Sequence, residues 1–529
     1  MNKFFSNNYP ALRNKTLADY ALAKATDKPD DIAIYLEDEA PITYGDIFAE
    51  AMALASSLTE MGLQQGDVIS FQLPNWRETV AIDIAACWLG LIVNPIIPIY
   101  RDKELGFILS DAKTRLVFIP SEYRKFDFAQ MLERLKSQLP NLEHIVTVRG
   151  DSSNTQLERY ENLTQSSSLK QPKKATVDPD SVKLIMYTSG TTGQPKAVKH
   201  SHNSLSRAID NGAEGWKLNA DDLMLMPSPV THVTGFANGI ELPFLTDTKS
   251  ALMERWDVSQ AVAYIERVGA TACVSATPFL QELVAKAESE KIGLPSLRFF
   301  ACGGASVPPG LIYDTHRVLD NCRAFRVYGC TEAPLVTVGF IEGEDEEFAA
   351  TTDGRILNWD VSIIDDAGKE VEAGCDGEIL VKSAALMLGY GEQKQTADAI
   401  DNNGYFHTGD IGHITPQGAI VITDRKKDII IRGGENISAR EIEDVLYLHE
   451  DILEVAAVAM PHERLGESVC AFLVTRNNVN LQLEDLLALL NSSGLAKQKW
   501  PELIKIKHEM PMTSSGKIRK DVLRNELKN

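Results

Sequence analysis

The chain of 529 residues carries 53 basic and 74 acidic side chains, a formal net charge of -21. With 44% hydrophobic residues it has ample material for buried cores, which excludes wholesale disorder. At roughly 100–200 residues per domain, two to four structural units are expected. The acidic balance argues against a protein that coats nucleic acid or an anionic membrane surface, yet it leaves room for a local small-anion site.

The opening MNKFFSNNYPALRNK has no apolar core long enough for a signal peptide. ITYGDIFAEAMALASSLTEMGL predicts a short strand running into an amphipathic helix, with Ala51, Leu54, Ala55 and Leu58 on one face. GDVISFQLPN reads as a strand ended by Pro74 and Asn75, ETVAIDIAACWLG as a buried helix ended by Gly90, and RLVFIP as another strand. The longest apolar run, Ile84 to Val93, is half of what a bilayer needs, so no integral membrane segment is expected. Strand–helix alternation of this kind implies α/β layers around a largely parallel sheet.

The polar stretch 151–180 reads as a surface connection, after which alternation resumes. From about 352 to 423 short strands with glycine turns predict a small all-β subdomain. Farther on, Ser438-Ala-Arg-Glu441 is a capping box that opens a helix through Ile442, Val445 and Leu446. EVAAVAMP and SVCAFLVT read as strands and LEDLLALLNSSG as a helix ended by Gly494, together a small α+β unit. Its tail, 497–529, holds nine Lys and Arg against four Asp and Glu, a local +5 in an acidic chain. The seven cysteines, Cys87, Cys273, Cys302, Cys322, Cys330, Cys375 and Cys470, are scattered and never spaced C-x-x-C. A disulfide framework or zinc site is therefore not expected, and a reducing, cytoplasmic setting is.

The strongest chemical signal is Tyr187-Thr-Ser-Gly-Thr-Thr-Gly-Gln-Pro-Lys196, which leaves the apolar run Leu184-Ile185-Met186 as a loop. Glycines let backbone N–H groups converge on an anion, while the hydroxyls add donors and Lys196 adds charge. It is not a Walker A loop, because Gly193 is followed by Gln194.

This segment resembles the signature of the adenylate-forming superfamily, which includes acyl-CoA synthetases, non-ribosomal adenylation domains and beetle luciferases. Further family motifs follow in order: Tyr328-Gly-Cys-Thr-Glu332, Thr408-Gly-Asp410, Asp424-Arg-Lys-Lys-Asp-Ile-Ile-Ile-Arg-Gly-Gly-Glu-Asn436, and Pro511-Met-Thr-Ser-Ser-Gly-Lys517. The resemblance covers nearly the whole chain. It implies a large N-terminal AMP-binding domain, 1–424, of layered α/β subdomains plus the β subdomain. A smaller, mobile α+β domain, 425–529, would carry the catalytic lysine.

The roles that the resemblance implies are specific. Thr188, Ser189, Gly190, Thr191, Thr192, Gly193 and Lys196 would surround the leaving pyrophosphate of ATP. Thr331 would hold the α-phosphate and Glu332 a Mg²⁺ ion. Asp410 would accept from the ribose hydroxyls, Arg425 would reach the nucleotide, and Tyr328 with Gly303, Gly304 and Ala305 would form the adenine slot. Lys517 would bridge the substrate carboxylate and the α-phosphate. Lys427 would be the hinge, and Gly433 and Gly434 would line a tunnel for the CoA pantetheine in a second domain pose.

His232, in Pro229-Val-Thr-His-Val-Thr-Gly-Phe236, has a family counterpart beside the substrate carboxylate. Amino-acid activators carry an Asp just after this point and here Val233 stands, which disfavours amino-acid substrates. Val233, Phe236, Cys330 and Leu335 suggest an apolar acyl pocket. The expected activity is thus an ATP- and Mg²⁺-dependent acid:CoA ligase for a short- to medium-chain or alicyclic carboxylic acid. A stand-alone enzyme loading a carrier protein, a luciferase-like oxygenase and a non-catalytic nucleotide-binding protein are the alternatives. Sequence leaves the oligomeric state open.

Overall fold

A computed structural model describes residues 11–150, 157–165, 172–188, 195–305, 307–342, 345–476, 479–512 and 518–527. The segments Val68–Phe71 and Leu116–Pro120 are apolar and buried at almost every position, as strands covered on both faces must be. They lie in the middle of an eight-stranded sheet. Its order is Gly389–Tyr390, Lys196–Ser201, Val182–Thr188, Ile92–Pro95, Val68–Phe71, Leu116–Pro120, His144–Val148, Glu158–Arg159. From Val182–Thr188 onward the pairs are parallel. The two pairs at the other edge are antiparallel.

A seven-stranded sheet follows the same logic, in the order Arg323–Val327, Phe299–Gly303, Ala272–Ala276, Leu223–Met226, Lys249–Leu252, Ile32–Leu36, Ile42–Thr43. All its pairs are parallel except the last. Side chains of both sheets join one large core, and the helix Arg77–Leu89 is buried in it from Glu78 to Trp88. That helix stops where the sequence predicts, with Gly90 in the left-handed region (φ 71°). The strand-into-helix reading at Ile42–Thr43 and Tyr44–Glu60 also matches, and the Thr43 hydroxyl accepts from the Asp46 N–H.

Two sequence expectations need adjustment. Within 151–180 the described residues are not all bare connection: 157–165 hold the strand Glu158–Arg159 and the helix Tyr160–Thr164, while 172–180 have neither. Tyr160 is buried and its hydroxyl donates to Glu50 at 2.7 Å, so one aromatic anchors the segment. The 352–423 stretch does build a four-stranded antiparallel sheet, Asp360–Ile364, Gly377–Lys382, Phe406–Ile414 and Ile420–Arg425. However, the helix Gln393–Ala399 interrupts it, and Gly389–Tyr390 leaves to edge the eight-stranded sheet.

The C-terminal part has its own sheet, in which Gly466–Thr475 pairs with Ile452–His462, Ile430–Arg432 and Leu503–Ile506. Its helices are Ala439–Leu446, Leu483–Ser492 and Lys520–Glu526, and it has separate small cores. The Ser438 cap forms as expected, its Oγ accepting from the Glu441 N–H at 3.1 Å. This part docks on the rest through Ala439 N–H donating to Asp424 Oδ2 (2.7 Å) and through the Arg440–Asp353 ion pair (3.3 Å). Among the described residues no helix is long and apolar enough to cross a membrane.

Candidate active site

Thr188 ends one strand and pairs with Lys196, which opens the next. The intervening loop therefore springs from a closed pair of strand ends. Its members Ser189, Gly190, Thr191, Thr192 and Gly193 lie outside the described residues. Lys196 Nζ sits 5.0 Å from the centroid of the Tyr390 ring, a cation–π distance. Tyr390 in turn donates its hydroxyl to Glu332 Oε1 at 2.9 Å. Burial first, then the Glu332 charge, push the Tyr390 phenol far above its ordinary value, so it remains a donor.

The backbone around Glu332 is pinned as well. Met387 N–H donates to the Glu332 carbonyl at 2.9 Å, and His200 Nε2 lies 2.7 Å from the Thr331 carbonyl. Burial lowers His200 to about 4, so the ring is neutral at physiological pH. An acceptor carbonyl at Nε2 requires the proton there, and Nδ1 then faces Ser204 Oγ at 3.0 Å. His200, Met387 and Tyr390 are absent from the sequence-derived site. His200 and Tyr390 lie on strands near the motifs, and Met387 in the loop just before Gly389–Tyr390; no motif singles them out.

Four residues before Glu332, Tyr328 donates its hydroxyl to Asp410 Oδ2 at 2.7 Å. Asp410 faces Arg425 across the antiparallel pair, with Arg425 Nε 2.8 Å from Oδ1. The carboxylate side chain is only 5% exposed, and burial followed by Asp410 pushes the Tyr328 phenol well up. Asp410 is the first cause of the raised Arg425 value. Each Asp410 oxygen already accepts one bond and keeps a further lone pair for another hydroxyl. Gly303 ends its strand opposite Val327, whose carbonyl would lie 2.5 Å from a Cβ there, so only glycine fits. Gly304 follows with φ 80°, and Ala305 is half-buried.

The segment around His232, expected on the acyl side, is shaped by Asn75. Its side chain donates to the Ser228 carbonyl (3.0 Å) and accepts from Val230 N–H (2.8 Å), tying the end of one sheet to the turn before His232. Gly235 is sterically required, because a Cβ would meet the Pro229 carbonyl oxygen at 2.1 Å. Phe236 is fully buried and starts a π-helix, Phe236–Glu241, a form that concentrates at functional sites. Val233 and Leu335 are half-buried against the same main core, whereas Cys330 packs on the other core, with Tyr328 and Tyr390. The four expected pocket residues thus divide between two cores. His232 is half-buried beside them.

A fully buried charge cluster lies behind this segment. Lys183 Nζ is 3.3 Å from Asp83 Oδ2, contacts Glu241 Oε1, and lies 5.4 Å from the Phe236 ring centroid. No motif announces it.

At the residue expected to be the hinge, the Lys427 carbonyl accepts from Arg524 (3.2 Å), which also pairs with Asp428 (2.9 Å). Burial first, then the Arg425 charge, lower the Lys427 ammonium. Gly433 and Gly434 have φ 62° and 91° in a two-residue turn between the paired Arg432 and Glu435, so hairpin geometry alone accounts for them. Lys517 lies outside the described residues, but Met512 and Ile518 bridge one another, so the chain leaves and returns at one point. Much of the positive tail is locally paired: Lys499 with Glu441, Lys507 with Glu526, Arg519 with Asp521, and Lys520 with Glu443. Among the described residues there is no cluster of three His, Cys, Asp or Glu side chains able to hold a metal.

Comparison with known proteins identifies the family. Residues 22–391 match the model of the AMP-binding enzyme family, and 441–517 match the AMP-binding enzyme C-terminal domain. A medium-chain fatty-acid–CoA ligase of Escherichia coli (strain K12) is 33% identical over 97% of this chain and 90% of its own. A methyl-dioxo-octahydroindenyl-propanoyl:CoA ligase of Rhodococcus jostii (strain RHA1) is 28% identical, over 97% of this chain and 99% of its own. In structure, ATP-bound MatB from Rhodopseudomonas palustris superposes with a TM-score of 0.87 at 24% identity, covering 98% of this chain and 99% of the other. By sequence and by fold, the chain belongs to the AMP-binding enzyme family.

Proposed function

We propose that this protein is an AMP-forming acid:CoA ligase whose substrate is a medium-chain or alicyclic carboxylic acid. One observation carries the site assignment: the five residues Tyr328 to Glu332 bridge two anchored groups. At one end Tyr328 binds Asp410, which pairs with Arg425, and at the other Glu332 binds Tyr390, whose ring lies beside Lys196. A ribose held at Asp410 would then place its phosphates toward Thr331, Glu332, Thr188 and Lys196.

In this reading a carboxylate oxygen of the acid attacks the α-phosphorus, the bond to pyrophosphate breaks, and an acyl-adenylate forms. The CoA thiol then attacks the acyl carbon and AMP leaves. The chain's task is to position groups and neutralise charge along the in-line path. Thr331 holds the α-phosphate, Lys196 and the hydroxyl loop face the pyrophosphate, and Lys517 arrives with the C-terminal domain. The domain division at 424/425, the hinge at Lys427 and the pantetheine path by Gly433 and Gly434 belong to the same proposal. Glu332 fits Mg²⁺: a single half-buried carboxylate suits an ion that keeps waters and takes its other ligands from substrate phosphates. Bound there, it would neutralise phosphate charge. His232 and Val233 border the acid, and Phe236, Cys330 and Leu335 shape the apolar walls.

The names of the relatives support the substrate class: one activates medium-chain fatty acids and another a fused alicyclic propanoate. Incubation with ATP, Mg²⁺, CoA and a graded panel of straight-chain and alicyclic acids should release AMP in an acid-dependent way. No acid-dependent AMP across the panel would refute the ligase. Pyrophosphate exchange without CoA consumption would move the assignment to a carrier-protein loader.

A further inference from the structure

Tyr390 has no assigned role in the reading above, yet it touches two of its groups. It sits on the edge strand Gly389–Tyr390, opposite Val198 and two residues along from Lys196. The interruption of the four-stranded sheet is what sends it there. Its hydroxyl binds Glu332 Oε1 at 2.9 Å while its ring lies 5.0 Å from Lys196 Nζ.

This placement settles a competition. A lysine and a glutamate that both face a phosphate site would otherwise pair with each other, and neither would be free for its ligand. Among the described residues Lys196 and Glu332 form no ion pair, and Tyr390 contacts both. A phenol suits the position because it offers a neutral donor to the carboxylate and a π-face to the ammonium. Oε1 is engaged by Tyr390 and the Glu332 carbonyl by Met387 N–H, which restrains the side chain, and Oε2 has no partner among the described residues.

We propose that Tyr390 is a positioning residue for the nucleotide step, its hydroxyl aiming Glu332 Oε2 at the metal–phosphate group and its ring holding Lys196 apart from that carboxylate. The inference rests on the reading of Glu332 as the magnesium-facing residue. It specifies a residue that acts through another and does not touch the reacting atoms.

The test uses the full chain and reads binding. Calorimetric titration with α,β-methylene-ATP, with and without Mg²⁺, is set beside titration with AMP, which needs no metal. Y390F keeps the ring and loses the hydroxyl, so it should weaken the magnesium-dependent affinity roughly tenfold, the scale of one charge-assisted hydrogen bond. AMP affinity and the melting temperature should match wild type. Y390L also removes the ring and should weaken the analogue further, now without Mg²⁺ as well, because Lys196 is released. In an E332Q background the Y390F effect should vanish, since coupled residues are not additive. If E332Q abolishes the magnesium dependence but Y390F binds like wild type, the inference falls while the reading of Glu332 stands. Equal weakening of AMP and analogue in Y390F would mean a merely structural tyrosine and would overturn the inference too. If E332Q leaves the magnesium dependence intact, the reading of Glu332 falls and takes the inference with it.

Discussion

Lys183 offers the sharpest test of how the fold supports the site. It stands on the strand that leads into the hydroxyl loop, with Asp83 from the buried helix on one side and Glu241 from the end of the π-helix on the other. The side chains of Lys183 and Asp83 are 0% exposed and that of Glu241 is 3% exposed. Replacing Lys183 with Met keeps most of the volume and removes the one cation, leaving two carboxylates in a dry core. Removing one partner of a buried pair costs about 3–5 kcal/mol, because the remaining charge is uncompensated. Burial already holds Asp83 above the usual carboxylate range even with Lys183 present, and losing the ammonium must push it further.

The sign with pH follows. A carboxyl raised in the folded state binds more protons folded than unfolded, so stability falls as pH rises through that range. K183M should therefore be worst at neutral and alkaline pH and should recover part of its deficit on acidification, when the carboxyls become neutral. Adding E241L should restore about half of the loss, since apolar replacement of a buried pair is often neutral or stabilising. Urea unfolding of the N-terminal part, followed by tryptophan fluorescence at several pH values, measures this. A K183M deficit below about 1 kcal/mol, the scale of an exposed pair, or a deficit that grows toward acid, would refute the reasoning.

Other outcomes follow from the same geometry. Asp410→Asn removes the charge that Tyr328 and Arg425 bind, and should raise the KM for ATP roughly tenfold or more while moving the KM for the acid much less; initial-rate kinetics separate the two. Because the folded value of His200 is about 4 against an ordinary value of about 6.5, its contribution to stability should be full above pH 6.5 and fall by about 2 kcal/mol between pH 7 and pH 5. His200→Gln should flatten that slope in urea titrations. Gly235→Ala must displace the Pro229 carbonyl, and acid-dependent AMP release should drop more than nucleotide affinity does, read by the release assay beside AMP titration. Lys517→Ala should abolish adenylation yet leave thioester formation from a supplied acyl-adenylate largely intact, and loss of both steps would reassign the lysine.

The legible part of the molecule was the part whose chemistry sits in consecutive residues. The strand into Thr188, the Tyr328-to-Glu332 segment and the separate motifs that hold Asp410 and Arg425 are short runs with a pattern of their own, although the pairing of Asp410 with Arg425 comes from the antiparallel register. The helix ends at Gly90 and Gly494 follow from local backbone rules. What stayed hidden was made by topology. Asp83 and Lys183 are 100 residues apart in sequence, and Tyr390 and Glu332 are 58 apart. Lys183 interrupts an otherwise apolar run and would pass there for a surface residue on an edge strand. Asn75 reads only as a strand terminator, although its amide ties two sheets together. In the other direction, sequence reading credited the tail with charge that the structure spends on neighbouring carboxylates.

That last difference bears on how an acidic chain attracts a polyanion. With the tail largely neutralised, the cations left beside the proposed nucleotide site are few, and each is held by a different device. Lys196 rests on a neutral ring, Arg425 is half-exposed on Asp410, and the Lys427 ammonium is lowered by burial and by Arg425. Among the described residues Lys196 and Lys427 form no ion pair, so each can turn to a phosphate without stripping a dry partner, whereas Arg425 would leave the buried Asp410 carboxylate. Arg425 and Lys427, two residues apart on one segment, also repel each other, and an anion beside them would relieve that repulsion. Lys427 occupies the proposed hinge, so the relief acts where the C-terminal part must turn. On the proposed reading, nucleotide charge and domain pose would be coupled through these two neighbouring residues, with no longer path through the fold.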